Sequence, residues 1–176
     1  ANSSALGNDV SGNDNDFTAN NLTSIDQATD TCSNNFITLS PIDIPTNSSG
    51  STGTLPTLSN GNLSTVNTNS AFREVRSSVY LTTGKWYWEY KMSRVANTIQ
   101  VGVFLNSYSS GSGERRMYQN NGYKYISSSS SYGATYTTND IIGVALNLDD
   151  GEITFYKNGV SQGVAATDLL SGIDDT

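Results

Sequence analysis

Apolar and polar residues alternate with a period of two along several short stretches in the second half of the chain. Segment 141–148 carries Ile, Val and Leu at every second position, segment 152–157 carries Ile and Phe in the same way, and Asp149-Asp150-Gly151 lies between them. This pattern predicts a β-hairpin. Asn158-Gly159 follows; both residues tolerate positive φ, which favours a type I′ turn. A third strand from Val160 onwards completes a predicted antiparallel meander.

Three earlier segments show the same period. Segment 86–92 reads Trp-Tyr-Trp-Glu-Tyr-Lys-Met, segment 99–105 places Ile, Val, Val and Leu at alternate positions, and segment 75–81 alternates Val and Leu with polar residues. Each predicts a strand. In the first, we expect one face to point into the core: Trp86, Trp88, Tyr90 and Met92. Gly102 indicates a close approach of two backbones.

The rest of the chain is rich in turn formers. Residues 1 to 35 are irregular, Pro41 to Pro56 reads as a surface loop, and residues 106–136 predict loops around one or two short strands. Many short strands separated by turns are typical of an all-β, antiparallel two-sheet β-sandwich. At 176 residues we expect one structural domain, with an irregular N-terminal lead-in (1–58) packing on the sandwich (59–176).

Composition narrows the possible functions. Histidine is absent, which removes the commonest general base and metal ligand. The single Cys32 cannot form an internal disulfide and is predicted to be a small buried apolar residue. The net charge of −7 argues against a nucleic-acid surface, and no apolar run approaches the length of about 18 residues that a membrane span needs. We therefore predict no enzyme activity, no cofactor, no nucleic-acid partner and no membrane insertion.

Four motifs follow one another in a specific order. They read GKWYWEY at 84–90, VGV at 101–103, DIIGV at 140–144 and DDGEITFYKNGV at 149–160. Together they resemble the SPRY family, which implies a bent sandwich of the concanavalin A-like jelly-roll type. The N-terminal part, with GNDNDFT at 12–18, is similar to the lead-in of SPRY-like modules in phage tail and other virion proteins.

The resemblance also implies a function. Such modules are non-enzymatic and present loops at one edge of the sandwich to a protein or glycan. We expect attachment of a virion to a host-surface glycan or protein, at the virion surface or in the extracellular space. SPRY domains usually continue past the Asn-Gly hairpin with further strands, so the sandwich is expected to be incomplete at its C-terminus. The alternative is a structural subunit whose open sheet edge pairs with other virion proteins or copies of itself.

The acidic residues raise two further chemical possibilities, a hydrolase site and a calcium site. Glu89 and Glu152 are the carboxylates that a polysaccharide hydrolase would need, since some concanavalin-like folds carry an acid pair. We expect instead that Glu89 pairs with a lysine or a hydroxyl. Asp9, Asp14 and Asp16 are candidate ligands of a calcium loop, and an unoccupied turn built from Asp and Asn is the alternative.

The best candidates for a binding edge are aromatic and basic residues of the segment after the VGV motif. Tyrosine offers a large rigid contact area, and arginine offers forked hydrogen bonds to carboxylates or sugar hydroxyls. The alternative for these rings is packing under loops, and the alternative for Arg115-Arg116 is a solvated turn. The predicted ligand-binding residues are Tyr108, Arg115, Arg116, Tyr118, Tyr123, Tyr125 and Tyr132.

Overall fold

The computed structural model describes residues 6–9, 11–21, 37–43, 55–67, 73–95, 97–105 and 115–172. Cys32 and Tyr108, both singled out from the sequence, lie outside these ranges. The contacts divide the chain into two compact units: residues 1–44 with 53–80, and residues 45–52 with 81–176. The predicted packing of the lead-in on the sandwich stays a prediction. Within the described ranges, no helix has the length and apolar character that a membrane crossing requires.

The first unit contains a small hairpin. Strand β1 (Thr57–Ser59) pairs antiparallel with β2 (Ser64–Val66). Between them, Asn60, Gly61 and Asn62 all have positive φ, which asparagine and glycine adopt most readily. The turn chemistry of this short segment therefore determines the hairpin.

The strand predicted for residues 75–81 is not formed, and this prediction was wrong. Ser77 makes an isolated antiparallel bridge to Leu39, and the flanking bonds are Ser40 N to Arg76 O and Ser78 N to Thr38 O, both 2.8 Å. Of the alternating apolar residues, Val79 is 38% exposed, and Val75 and Leu81 are only partly buried. With this incomplete burial, the period alone does not produce a strand.

The second unit contains two four-stranded antiparallel sheets. The first sheet has the order β10-β9-β8-β3, and the second has the order β4-β5-β6-β7. The strands of the first sheet are β3 (Lys85–Lys91), β8 (Ile141–Asn147), β9 (Glu152–Lys157) and β10 (Val160–Ala166). Those of the second are β4 (Gln100–Phe104), β5 (Arg115–Gln119), β6 (Tyr123–Tyr125) and β7 (Ser129–Ser131). A short 3-10 helix, Leu169–Gly172, follows β10.

The predicted meander is confirmed. β8 pairs with β9 and β9 pairs with β10, in chain order. Asn158 and Gly159 have φ values of 50° and 79°, as a type I′ turn requires. Gly151 closes the preceding turn with a φ of 73°. Turn residues and alternation therefore point to the same hairpins, and the structure forms them.

The two sheets pack face to face around one apolar core. The first sheet supplies an aliphatic row and Phe155, and the second sheet supplies Val101 and Tyr118. The rings of Tyr118 and Phe155 lie with centroids 5.5 Å apart, which joins the sheets directly. The second unit is therefore an all-β, antiparallel two-sheet sandwich, as predicted. The buried apolar side chains of β8 and β9 are those of the predicted alternation: Ile142, Val144, Leu146, Ile153 and Phe155.

Strand β3 follows its predicted facing with one exception. Trp88 and Tyr90 pack against the core, and Met92 is buried just beyond the strand. Trp86 was also predicted to be buried but remains 41% exposed. Its indole N–H donates to the Thr83 carbonyl at 2.8 Å, and this local bond holds the ring near the end of the strand.

The second sheet contains more order than its sequence predicts. Segment 106–136 was expected to hold one or two short strands; three lie within its described part, and Ser129–Ser131 is one of them. Serine has little strand preference of its own, so pairing with β6 produces β7. The prediction for Gly102 is confirmed, since a Cβ at this position would lie 2.9 Å from the Met117 Cα.

Candidate binding surface

The strand geometry divides the predicted binding residues into two groups. Successive side chains of a strand point to opposite sides of the sheet. Tyr118 of β5 points into the core, so Arg116 lies on the core side and Arg115 on the outer side. Tyr123 and Tyr125 lie on the outer side too, because Tyr125 pairs with Met117, the residue opposite in facing to Tyr118. The predicted set is therefore not one surface.

Tyr118 is a core residue. It is fully buried, and its ring contacts those of Tyr132, Tyr136 and Phe155 at centroid distances of 5.3, 5.0 and 5.5 Å. Its hydroxyl donates to the Ala134 carbonyl. Burial, with smaller contributions from Tyr132 and Asp140, raises the pKa of Tyr118 to about 12. In this position the phenol stabilises the sandwich and offers no surface to a ligand.

Tyr132 also lies on the inner side. Its ring packs against the core, and its hydroxyl donates to the Gly163 carbonyl of β10. Burial raises the pKa of this phenol. The Lys124 ammonium lies 5.6 Å from the ring centroid and donates to the Ala165 carbonyl at 2.7 Å. Tyr132 and Lys124 thus connect the second sheet to the last strand of the first.

Arg116 is a buried arginine that pairs with a half-exposed carboxylate. Its side chain is 5% exposed, and its Nε and Nη2 atoms donate to the two carboxylate oxygens of Asp168, each at 2.8 Å. This forked geometry is the strong form of an arginine–carboxylate pair. The hydrogen bonds from Arg116 hold the pKa of Asp168 below its usual value. Arg116 therefore anchors the segment that leads into the 3-10 helix.

Three predicted residues lie together on the outer side, and we call this surface the outer β5–β6 face: Arg115, Tyr123 and Tyr125. The Arg115 guanidinium carbon lies 5.5 Å from the Tyr125 ring centroid, which is a cation–π contact. Tyr123 is 42% exposed and pairs across the sheet with Ser131. Gln119, buried on the same face, donates to the Ser129 hydroxyl at 3.4 Å. Along this face the stacked Arg115 lies next to Tyr125, and the partly exposed Tyr123 ring follows on the other side of Tyr125.

Sequence reasoning missed a second aromatic group, on the outer side of the first sheet. Tyr87 is 56% exposed, and its ring contacts that of Tyr156 edge to face, with centroids 6.1 Å apart. Its hydroxyl donates to Glu89 at 2.7 Å. This confirms that Glu89 pairs with a hydroxyl. The alternation of β3 already placed Tyr87 and Glu89 on one face; Tyr156, distant in sequence, had no such signal.

The two carboxylates that a polysaccharide hydrolase would need are too far apart for glycoside hydrolysis. Across β8, Glu89 is level with Tyr156, whereas Glu152 is level with Lys85. Four residues along a strand correspond to about 13 Å, and two strand spacings add about 10 Å sideways. Catalytic carboxylates lie about 5 to 9.5 Å apart. Glu89 and Glu152 therefore do not form this kind of site.

The acidic N-terminal segment forms a hydrogen-bonded turn. The Asp9 carboxylate accepts bonds from the Ser11 N–H and hydroxyl, both at 2.7 Å, and from the Asn15 N–H at 3.1 Å. These bonds lower the pKa of Asp9. Asp16 accepts from the Asp9 N–H at 2.8 Å, and Asp14 has a φ of 53°. In the part of the chain that the structure describes, no group of three acidic or other ligating residues could hold a metal ion.

Comparison with known proteins supports the resemblance to the SPRY family. Residues 85–171, just under half of the chain, match the SPRY domain model. A stretch of 50 residues is 46% identical to Ran-binding protein 9 of Xenopus tropicalis and of Xenopus laevis, and equally to Ran-binding protein 10 of Danio rerio. It makes up 27% of this chain but 9% of the Xenopus proteins and 8% of the Danio protein.

Among solved structures, the SPRY domain of human HERC1 is similar at 20% sequence identity with a TM-score of 0.45, covering 54% of this chain and 65% of that one. SPRY domains generally act as non-catalytic modules of protein–protein interaction, in keeping with the expectation for this chain. The match to the family model supports the assignment of residues 85–171 to the SPRY domain family.

Proposed function

We propose that this chain is a non-catalytic binding module that contacts a protein partner through the outer β5–β6 face. One observation carries the proposal: Arg115, Tyr123 and Tyr125, which are separated in sequence, share one side of two paired strands. Tyrosine and arginine are the residue types that most often dominate the binding energy of protein interfaces. The outer face combines both with partial exposure.

The local geometry favours recognition of a polar partner segment. A stacked guanidinium keeps its planar orientation and loses little side-chain freedom when it binds. The Tyr123 ring, 42% exposed, adds contact area, and Ser129 and Ser131 of β7 add hydroxyl groups along the same side. Such a surface suits a segment that carries a carboxylate or amide beside an apolar group.

We further propose that the module works at the surface of a virion, in attachment to a host-surface protein or glycan. Two features support this setting: the similarity of GNDNDFT at 12–18 to the lead-in of phage tail modules, and a composition dominated by neutral polar residues. Immunogold labelling of purified virions that encode the chain is the direct test. Labelling on the tail or capsid surface is expected, and unlabelled virions contradict this setting.

The binding role is tested with a displayed library of random peptides and a glycan array, both probed with the full chain. We expect peptides to be enriched, and we expect Tyr123→Ala and Arg115→Ala each to weaken the binding of a selected peptide about tenfold or more, as interface hot spots do. Ser131→Ala, on the same face opposite Tyr123, serves as the matched control. Equal affinity of all variants would overturn the proposed surface, and exclusive binding of glycans would overturn a protein partner.

Assembly through an open sheet edge is the second candidate. Val160 is 65% exposed and Val164 is 48% exposed on β10, which is an edge strand among the described residues. Two register irregularities interrupt β10, and such bulges oppose edge-to-edge pairing. Sedimentation at micromolar concentration discriminates: assembly predicts oligomers that Val160→Lys dissociates, and a monomer at all concentrations contradicts it.

A further inference from the structure

The outer side of the first sheet carries a built arrangement of two rings and one carboxylate. Tyr87 and Glu89 project from β3, and Tyr156 projects from β9 on the same side. The two rings meet edge to face, at a centroid distance of 6.1 Å and an interplanar angle of 80°. We call this group the Tyr87 platform. It lies on a different sheet from the outer β5–β6 face.

Gly143 of β8 is the floor of the Tyr87 platform. It pairs with Glu89 on one side and with Tyr156 on the other. A Cβ at this position would lie 3.0 Å from the Tyr87 Cζ and close to the hydroxyl, so the phenol reaches across β8 above the bare backbone. Because glycine leaves this space, the Tyr87 ring lies along the sheet with one side towards solvent.

Glu89 supplies the charge of the platform. Its carboxylate is exposed and accepts the Tyr87 hydroxyl at 2.7 Å. The carboxylate has about four acceptor sites, so one bond leaves most of them available. Across the described ranges, Glu89 forms no ion pair. Lys91, on the same side of β3, lies one strand repeat further along, about 7 Å away. The hydrogen bond to Glu89 also raises the pKa of Tyr87, which keeps the phenol neutral.

We propose that the Tyr87 platform binds an arginine side chain from a basic segment of a partner protein. The guanidinium plane would stack on the exposed Tyr87 ring and donate two N–H groups to the Glu89 carboxylate. Arginine is the side chain that combines aromatic stacking with forked hydrogen bonding to a carboxylate. The net charge of −7 adds long-range attraction for a basic segment.

The platform is a second contact surface, with charge preference opposite to that of the outer β5–β6 face. There, Arg115 suits an acidic or amide-bearing segment, whereas here Glu89 selects a cation. A partner with both kinds of segment would gain from two linked contacts. The inference stands on its own contacts and does not depend on the outer β5–β6 face.

The test is an NMR titration of the isotope-labelled full chain with an acetylated and amidated peptide that carries two arginines among glycine and serine. We expect saturable shifts at the amides of residues 87, 89, 143 and 156. Glu89→Gln and Tyr87→Ala should each weaken binding about tenfold, since each removes one of the two interactions. Glu152→Gln is the matched control, a carboxylate on the same side of the sheet away from the rings, and should leave affinity unchanged.

Two replacement probes make the outcome decisive. A peptide with citrulline in place of arginine keeps the shape but loses the charge, and we expect it not to bind. Equal shifts with citrulline, or equal loss in Glu152→Gln, would overturn the proposal. Saturable shifts at the same amides with methyl glucoside or N-acetylglucosamine, and none with the arginine peptide, would show a carbohydrate site instead and would also overturn it.

Discussion

The β8–β9 hairpin of the first sheet and the region around β5–β7 of the second fill the same core with different chemistry. The first sheet contributes aliphatic residues at alternate positions of β8 and β9, together with Phe155. Around β5–β7, the core side is lined by tyrosines, chiefly Tyr118, Tyr132 and Tyr136. Aliphatic side chains need burial alone, whereas each buried phenol also needs a hydrogen-bond partner.

The structure supplies those partners from the backbone. Tyr136 donates towards the carbonyls of Ile99 and Tyr118, both at 3.0 Å. Tyr118 and Tyr132 donate to carbonyls outside the regular strands or at a bulge. The tyrosines predicted to contact a ligand therefore divide into a hydrogen-bonded inner group and a partly exposed outer group, according to the side of the sheet that each one faces.

The largest expected effect on stability comes from removing a core ring, either Phe155 of the first sheet or Tyr118 of the second. Phe155→Ala and Tyr118→Ala should each lower the free energy of unfolding by about 3 to 5 kcal/mol, since both rings are fully buried and leave a cavity. Urea denaturation measures the change. Tyr123→Ala, which removes a partly exposed ring from the adjacent strand, is the control and should lower the free energy of unfolding by less than about 1 kcal/mol. A Tyr118→Ala cost as small as that of the control would break the comparison.

The ion pair between the second sheet and the C-terminal segment gives the next largest effect. Asp168→Asn leaves the Arg116 guanidinium, 5% exposed, with a neutral partner. We expect a loss of about 1.5 to 3 kcal/mol, the range for hydrogen bonds to charged groups. Asp150→Asn, which removes an exposed pair with Lys85, is the matched control and should change little. Equal stability of the two variants would contradict a structural role for Arg116.

A smaller change in stability is expected when a hydroxyl is removed and its ring is kept. Tyr136→Phe keeps the packing but removes the donor shared by two carbonyls, and should cost about 1 to 2 kcal/mol. Thermal or urea unfolding reports the difference, with Tyr123→Phe as the control. If Tyr136→Phe is as stable as the wild type, the two hydrogen bonds of the Tyr136 hydroxyl add nothing to stability. That result would contradict the distinction between the tyrosine-lined and the aliphatic part of the core.

The smallest effect is the pH dependence of the Arg116–Asp168 pair. The pKa of Asp168 is lowered from 3.8 in the folded state, mainly by its hydrogen bonds to Arg116. A lowered folded pKa means stability that is present above the unfolded value and is lost as the pH falls below about 4. The stability gap between wild type and Asp168→Asn should therefore narrow between about pH 5 and pH 3. A gap that is constant over this range would contradict the assigned interaction.

The sequence predicts the first sheet better than the second for a physical reason. Alternation in β8 and β9, and the glycines and Asn158 of their turns, are local signals that the structure follows. Strand β7 is made of three serines and forms through pairing with β6, which no local signal shows. The predicted strand at 75–81 fails for the opposite reason, because its alternation finds too little burial.

The predicted binding residues also depend on long-range pairing that no local signal shows. Both Arg115 and Arg116 are predicted from their residue type to bind a ligand. In the structure, Arg115 lies on the outer face, whereas Arg116 is buried against Asp168. Facing depends on the register between β4 and β5, which is a long-range property. Tyr156 lies beside Tyr87 only because β3, β8 and β9 pair side by side, and this pairing is a long-range property as well.

Tyrosine footprinting tests the central claim most directly. The full chain is nitrated under native conditions, free and saturated with a peptide selected on it, and modified residues are found by mass spectrometry. We predict that Tyr123 is modified in the free chain and protected in the complex, while Tyr118 is protected in both. Nitration of Tyr118 in the native chain, or of Tyr123 to the same extent with and without peptide, would contradict the account.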